Sequence, residues 1–167
     1  MKNIAAASPV KVSADGHGVV SHAGMGMLRE LADRTGLSAQ VTAALADTYH
    51  ARLAPLIEAG LVATTAQLDA EALYSARSSE EYEQLWSDRR LAYEYLPTGD
   101  EQWQAALEAH RALARTGQQR SVGMADLLIA AVAAHHEVTV IHYDSDFETA
   151  AGVIPFEQRW VVERGTV

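Results

Sequence analysis

From about residue 50 onward, apolar positions spaced three and four apart alternate with short runs of β-branched residues. Leu53, Leu56 and Ile57 share a helical face, and Gly60 closes that helix. Leu61-Val62-Ala63-Thr64 then reads as a short buried strand. Ala66 to Arg77 predicts a helix with Leu68, Ala72 and Leu73 on one side. Ser78 with Glu81 has the form of a capping box, opening a helix that runs to about Tyr95 and ends at Pro97. Glu101 to Arg115 is a further helix, stopped by Gly117. Met124 to His135 is apolar on nearly every side, the mark of a buried helix. Val138 to Ile141 is a β-branched strand, and Trp160-Val161-Val162 predicts the last one. Strands alternating with helices of these lengths predict an α/β fold whose parallel sheet is flanked by helices on both faces.

The first 48 residues read differently, being rich in Gly, Ala and Ser. Val10, Val12 and Ala14 alternate and run into Asp15-Gly16, a turn signal. A helix with Leu28, Leu31 and Leu37 follows, broken at Gly36, and then an Ala-rich helix from Ser38, its N-cap, to Ala46. The segment GHGVVSHAGMG lacks the Lys-Ser/Thr of a phosphate loop and the spacing of a dinucleotide fold, so it reads as a loop.

Composition narrows the classes. Of 167 residues, 49% are hydrophobic and 21% charged, enough apolar material for one α/β domain. Cys is absent, which excludes disulfides and thiolate metal sites. No apolar run is long enough for a membrane span and the N-terminus lacks a signal-peptide core, so a cytoplasmic protein with no membrane partner is expected. The net charge of -9 argues against sequence-independent nucleic-acid binding. It leaves room for an enzyme that cuts RNA with the help of a local cation, and it suits a basic protein partner.

Candidate chemistry gathers in GMADLLIAAVAAHHEVTVIHYDSDFE, residues 123–148. Asp126 opens the buried helix, while Asp144 and Asp146 lie just past the strand that follows it. Glu71 sits in the helix after the Leu61 strand. Because ligands of α/β sheets bind beyond the carboxyl ends of the strands, Glu71, Asp126 and Asp144 can all face one edge. Carboxylates so placed suit magnesium or manganese, hard cations that take oxygen ligands. Each acid also has a plainer reading. Asp126 complements a helix N-terminus, Asp144 or Asp146 caps a short helix at Phe147, and Glu71 is a solvated helix acid. His135, His136 and His142 cluster near the strand without the spacing of a zinc motif. Arg77, Arg89, Arg90, Arg111, Arg115 and Arg120 either solvate helix faces or hold RNA phosphates. Trp86, Tyr93, Tyr95 and Trp103 suit core packing or a dimer surface, and less directly base stacking.

Three motifs together, LVATTAQLDAEALYSARS, GMADLLIAAVA and VIHYDSDF, resemble the PIN-domain ribonucleases, specifically the VapC-type toxins of bacterial toxin–antitoxin pairs. The resemblance spans about residues 50–167. It implies a metal-dependent endoribonuclease with Glu71, Asp126 and Asp144 around Mg2+ or Mn2+ and Asp146 as an auxiliary acid. It also implies a homodimer and inhibition by a cognate VapB-type antitoxin. PIN domains open with a central strand ending in Asp-Thr or Asp-Ser, whose Asp is the first metal ligand, and the segment that should carry it differs here. Residues of about 10–49 instead resemble the start of a DDE-class insertion-sequence transposase. The expected organisation is therefore a transposase-like segment, 1–48, joined to a truncated PIN domain, 49–167, with the native first strand replaced or missing. Asp15 and Asp47 are the acids available to stand in for the lost ligand. The alternative is a catalytically inactive PIN-like module that still binds antitoxin.

Overall fold

The computed structural model describes residues 18–20 and 51–163. Five parallel strands form one sheet in the order β3-β2-β1-β4-β5. They are β1 (Gly18–Val20), β2 (Val62–Thr64), β3 (Glu94–Tyr95), β4 (Thr139–His142) and β5 (Glu157–Trp160). The helices are α1 (Ala66–Tyr74), α2 (Ser79–Ala92), α3 (Asp100–Arg115), α4 (Met124–His136) and α5 (Asp146–Ala151), preceded by a helical segment at residues 51–58. The centre of the sheet, where the sequence reading expects a strand replaced or missing, is held by Gly18–Val20. The loop expected over GHGVVSHAGMG is thus corrected at these three residues. The strand expected at Val10 to Ala14, the two helices before residue 48, Asp15 and Asp47 lie outside the described residues.

Side-chain alternation along the short strands sorts the core into two faces. Ala63 and Val140 pack with Ile129, Val132 and Ala133 of α4, with Leu68 and with Phe147. Their neighbours Val62 and Ile141 turn the other way, onto Leu53, Leu56 and Ile57 of the segment at 51–58. A sheet buried on both sides needs no polar face, as parallel sheets generally lack one. On the far side of α4, Leu127, Leu128, Ala130 and Ala131 meet Ala106, Ala109 and Leu113 of α3. The spacing of the α3 residues is one helical stripe, and α4 is buried from Asp126 to Ala133 because it is packed on two sides.

Local chemistry sets the element ends. Thr65 and Ser78 cap α1 and α2, accepting from the N–H groups of Leu68 and Glu81. The expected capping box is shifted at its return bond, since Glu81 accepts from the N–H of Arg77 rather than of Ser78. The helix expected to reach Tyr95 ends at Ala92 instead. Tyr93 turns extended, Glu94 and Tyr95 pair with Ala63 and Thr64, and the Leu96 N–H donates to the Thr64 carbonyl at 2.8 Å. The last strand is Glu157–Trp160, earlier than the apolar run at 160–162 suggests. Its half-polar residues pair with β4, while Val161 and Val162 are buried just beyond it.

Phe147 is fully buried at the junction of α4, β4 and α5. Replacing it with Ala should cost about 3–5 kcal/mol, read as a lower denaturation midpoint in guanidinium chloride.

Candidate active site

All four acids singled out from the sequence interact electrostatically at the carboxyl end of the sheet. Burial and then the charge of Asp144 raise the pKa of Glu71, and the same two causes raise that of Asp146. Asp126 feels all of its partners. Its carboxyl is pushed up to about 7, first by burial and then by Asp144, Asp146 and Glu71. Groups remote in sequence perturb one another this way only when the fold brings them near. Two oxygens of the set, Glu71 Oε2 and Asp126 Oδ1, are buried without a hydrogen-bond partner. A buried, unpaired carboxylate oxygen is costly, so the site has an unmet demand for positive charge or protons. Among the described residues, no three His, Asp or Glu side chains close into a ready-made cage for a metal ion.

Each acid is placed by an identifiable local device. Asp126 lies in the first turn of α4 and accepts from the backbone N–H of the N-cap residue Gly123, which lowers its pKa against the larger upward causes. Helix capping and membership of the cluster thus coexist in one residue. A β-carbon at position 123 would stand 2.9 Å from Asp126 Oδ2 and would push that carboxylate out of its present position. Asp144 follows β4, and its backbone N–H donates to His142 Nδ1 at 3.1 Å. With Nδ1 accepting, the ring proton sits on Nε2 and goes to Gln158 Oε1 on β5, 2.5 Å away. Burial depresses the His142 pKa and keeps this tautomer neutral, although the hydrogen bonds act in the opposite direction. Asp144 Oδ1 in turn accepts from the Asp146 N–H at 2.9 Å, tying the two acids into one turn at the start of α5. His142 is therefore a strut, its ring tilted against those of Phe147 and Trp160. His135 and His136 meet edge to face at the other end of the same connection.

Glu71 is positioned by a network that the sequence reading missed. Asp69, two residues earlier on α1, accepts from Thr64 Oγ1 and from Arg89 Nε, each at 2.8 Å. Arg89 also donates to Thr64 Oγ1, and Arg90 pairs with Asp69 Oδ2 at 2.9 Å. Arg89 is buried, which corrects the expectation of a solvated helix arginine. The tandem Arg89-Arg90 opposite an acid on a buried helix was the available signal. Residues two apart on a helix point about 200° apart. With Asp69 clamped toward α2, Glu71 is turned toward Asp144.

The class this defines is an α/β protein with a carboxylate cluster at one end of a parallel sheet. The protein-family model of the PIN domain matches residues 38–153. Ribonuclease VapC21 of Mycobacterium tuberculosis is 47% identical over 115 residues, which cover 69% of this chain and 83% of that one. Ribonuclease VapC51 of the same organism is 38% identical over 113 residues, 68% and 81% of the two chains. The crystal structure of DNA-bound VapBC from Salmonella typhimurium superimposes with a TM-score of 0.58. It covers 88% of this chain and 99% of that one at 14% identity, a likeness of fold alone. This chain belongs to the PIN-domain family and is of the VapC type. The family match begins at residue 38, so the central strand Gly18–Val20 lies outside it.

Because the Asp126 pKa is raised on folding, the native state keeps a proton that the unfolded chain releases near 3.8. Stability from this group is present at low pH and is lost as pH rises from about 4 to about 7, by about 4 kcal/mol. Glu71 and Asp146 act in the same direction. Urea denaturation in a chelating buffer between pH 4.5 and 8 should show falling stability in the parent and a flatter profile for Asp126→Asn.

Proposed function

We propose that the chain is a metal-dependent endoribonuclease, the toxin of a VapBC-type toxin–antitoxin pair, whose catalytic site is weakened at its central strand. The observation that carries this reading is the gathering of Glu71, Asp126, Asp144 and Asp146 at one end of the sheet, with Glu71 Oε2 and Asp126 Oδ1 buried and without a hydrogen-bond partner. Its support from relatives is the 47% identity to a protein named as a ribonuclease. Magnesium or manganese fits the residues present, since every donor is a carboxylate oxygen and two of those oxygens are buried and unpartnered. Glu71, Asp126 and Asp144 would hold it, with Asp146 beside them. When bound, such an ion polarises the phosphodiester and makes water a better nucleophile at neutral pH.

The chain's own contribution is placement. Gly123 leaves room for the Asp126 carboxylate, His142 fixes the turn that bears Asp144, and the Asp69 clamp sets the direction of Glu71. Asp146, half-buried at the start of α5, is the carboxylate to take the proton from the attacking water. A cytoplasmic homodimer restrained by a basic VapB-type antitoxin completes the reading, and the net charge of -9 favours such a partner. Among the described residues, no helix is long and apolar enough to cross a membrane.

The second reading is a PIN-like module that binds antitoxin without cleaving RNA. It is favoured by one observation: Gly18-Val19-Val20, at the centre of the sheet, contains no carboxylate. The transposase-like origin of residues 1–48 belongs to both readings.

Three measurements separate them. Magnesium- or manganese-dependent cleavage of single-stranded or looped RNA should fall at least about 100-fold in Asp126→Asn. Cleavage that persists in excess EDTA would overturn the mechanism. Ser21 and His22 follow β1 in the sequence, and Ser21→Asp or His22→Asp should raise both metal affinity and turnover. A tight antitoxin complex with no cleavage by the parent or by either gain-of-function variant would establish the inactive module.

A further inference from the structure

We infer that Trp86, Arg90 and Tyr95 form a binding platform for single-stranded RNA, flanking the acid cluster at the carboxyl end of the sheet. This inference rests on the ribonuclease reading and supplies what that reading lacks, a cationic place for a polyanion on a chain of net charge -9. The Arg90 guanidinium carbon lies 4.6 Å from the centre of the Trp86 ring and 4.5 Å from that of Tyr95. Both rings remain open to solvent, Trp86 at 43% and Tyr95 at 41% exposure. A guanidinium over two half-exposed rings joins a cation to aromatic surface that is still open on the sides it does not cover, a combination on which phosphates rest and bases stack.

The platform is rigid and carries surplus charge. Arg89 and Arg90 both pair with the single carboxylate of Asp69, at 2.8 and 2.9 Å. Two cations on one anion leave one positive charge uncompensated within this group. Arg89 is buried, so Arg90, one-third exposed at its side chain, is the member that presents the surplus outward. The acids of the first turn of α2, Glu80 and Glu81, lie at the opposite end of the helix from Arg89 and Arg90. Because Asp69 is itself fixed by Thr64 and Arg89, little side-chain freedom is lost when a ligand settles on Arg90.

Sheet register relates the platform to the acids. Tyr95 pairs with Thr64, and Ala63 is level with Val19 and so with Val140. Tyr95 therefore stands at the height of Ile141, three residues short of Asp144. β3 and β4 are separated by three strand spacings, on the order of 14 Å. A few nucleotides of an extended strand cover that span, so RNA cut at the acids continues onto the platform. Trp, Tyr and Arg also make protein hot spots. What favours RNA is the outward-facing Arg90 beside two open rings at the sheet end where the substrate must lie.

The test uses the full chain in EDTA, which suppresses cleavage, with a fluorescein-labelled 12-nucleotide oligouridylate as probe in an anisotropy titration. Trp86→Ala and Tyr95→Ala should each weaken binding about tenfold, with Trp86→Phe restoring most of the affinity. Arg90→Gln should reduce the salt dependence of log K by about 0.7, one phosphate contact on a single strand. In the parent, probe binding should quench Trp fluorescence, and the quench should shrink in Trp86→Phe, which reads the stacking in a conservatively changed protein. Unchanged affinity and quench across the variants would overturn the platform, as would variants that bind the probe normally but lose antitoxin or dimer contact. Failure of the parent to bind the probe would also overturn it. A parent that binds through these residues but cleaves nothing with magnesium sinks the nuclease reading and leaves the platform standing. Cleavage with RNA affinity indifferent to Trp86 does the reverse.

Discussion

Four carboxyl groups held near one another against their own repulsion are the constraint on which this structure turns. Burial and mutual charge push Asp126 to about 7, so bringing these acids together costs the folded state stability at neutral pH. Opposing that cost is a core that leaves the acids little freedom to separate. α4 is buried on two sides, by the sheet and by α3, and its first turn can neither swing out nor unwind without exposing Leu127 and Leu128. Asp144 is fixed through the His142–Gln158 pair that joins β4 to β5. The destabilised acids and the apolar helix are one arrangement, because the helix that creates the desolvation also holds Asp126 in place.

Helix α1 shows how the fold treats two acids of one helix in opposite ways. Asp69 accepts hydrogen bonds from Thr64 and Arg89 at Oδ1. Its Oδ2 has no hydrogen bond but is ion-paired with Arg90, so two guanidiniums neutralise the buried charge. Glu71, two residues on, keeps a buried oxygen with no partner. Stability alone would treat both alike. The two acids differ in whether the fold supplies a counter-charge, which could not be read from residue type or position in the sequence.

What was legible in the chain follows from how each signal arises. The apolar circumference of α4 and the β-branched run of β4 write their burial directly into residue type, and they located Asp126 and Asp144. Of the strands at the sheet edges, β3 was missed and β5 was expected three residues late, for physical reasons. β3 is two residues long and β5 is built from Glu157, Gln158, Arg159 and Trp160, whose alternate polar residues face outward. Arg89 was misread because a lone helix carries no record of its partner, and Asp69 lies 20 residues away. The role of His142 was within reach, since period-two alternation puts it on the face of Val140. Its hydrogen bonds to Asp144 and Gln158 needed coordinates.

The central strand makes the deeper point. A parallel sheet requires something between β2 and β4, because both present backbone groups that must be paired. Three residues, Gly18-Val19-Val20, meet that requirement with a partner on each side. Pairing is a property of the backbone and tolerates almost any sequence, whereas a metal ligand at the end of the same strand depends on a single side chain. A segment at this position can therefore complete the architecture whether or not it brings a ligand. Fold and site chemistry are thus set by different atoms of one strand.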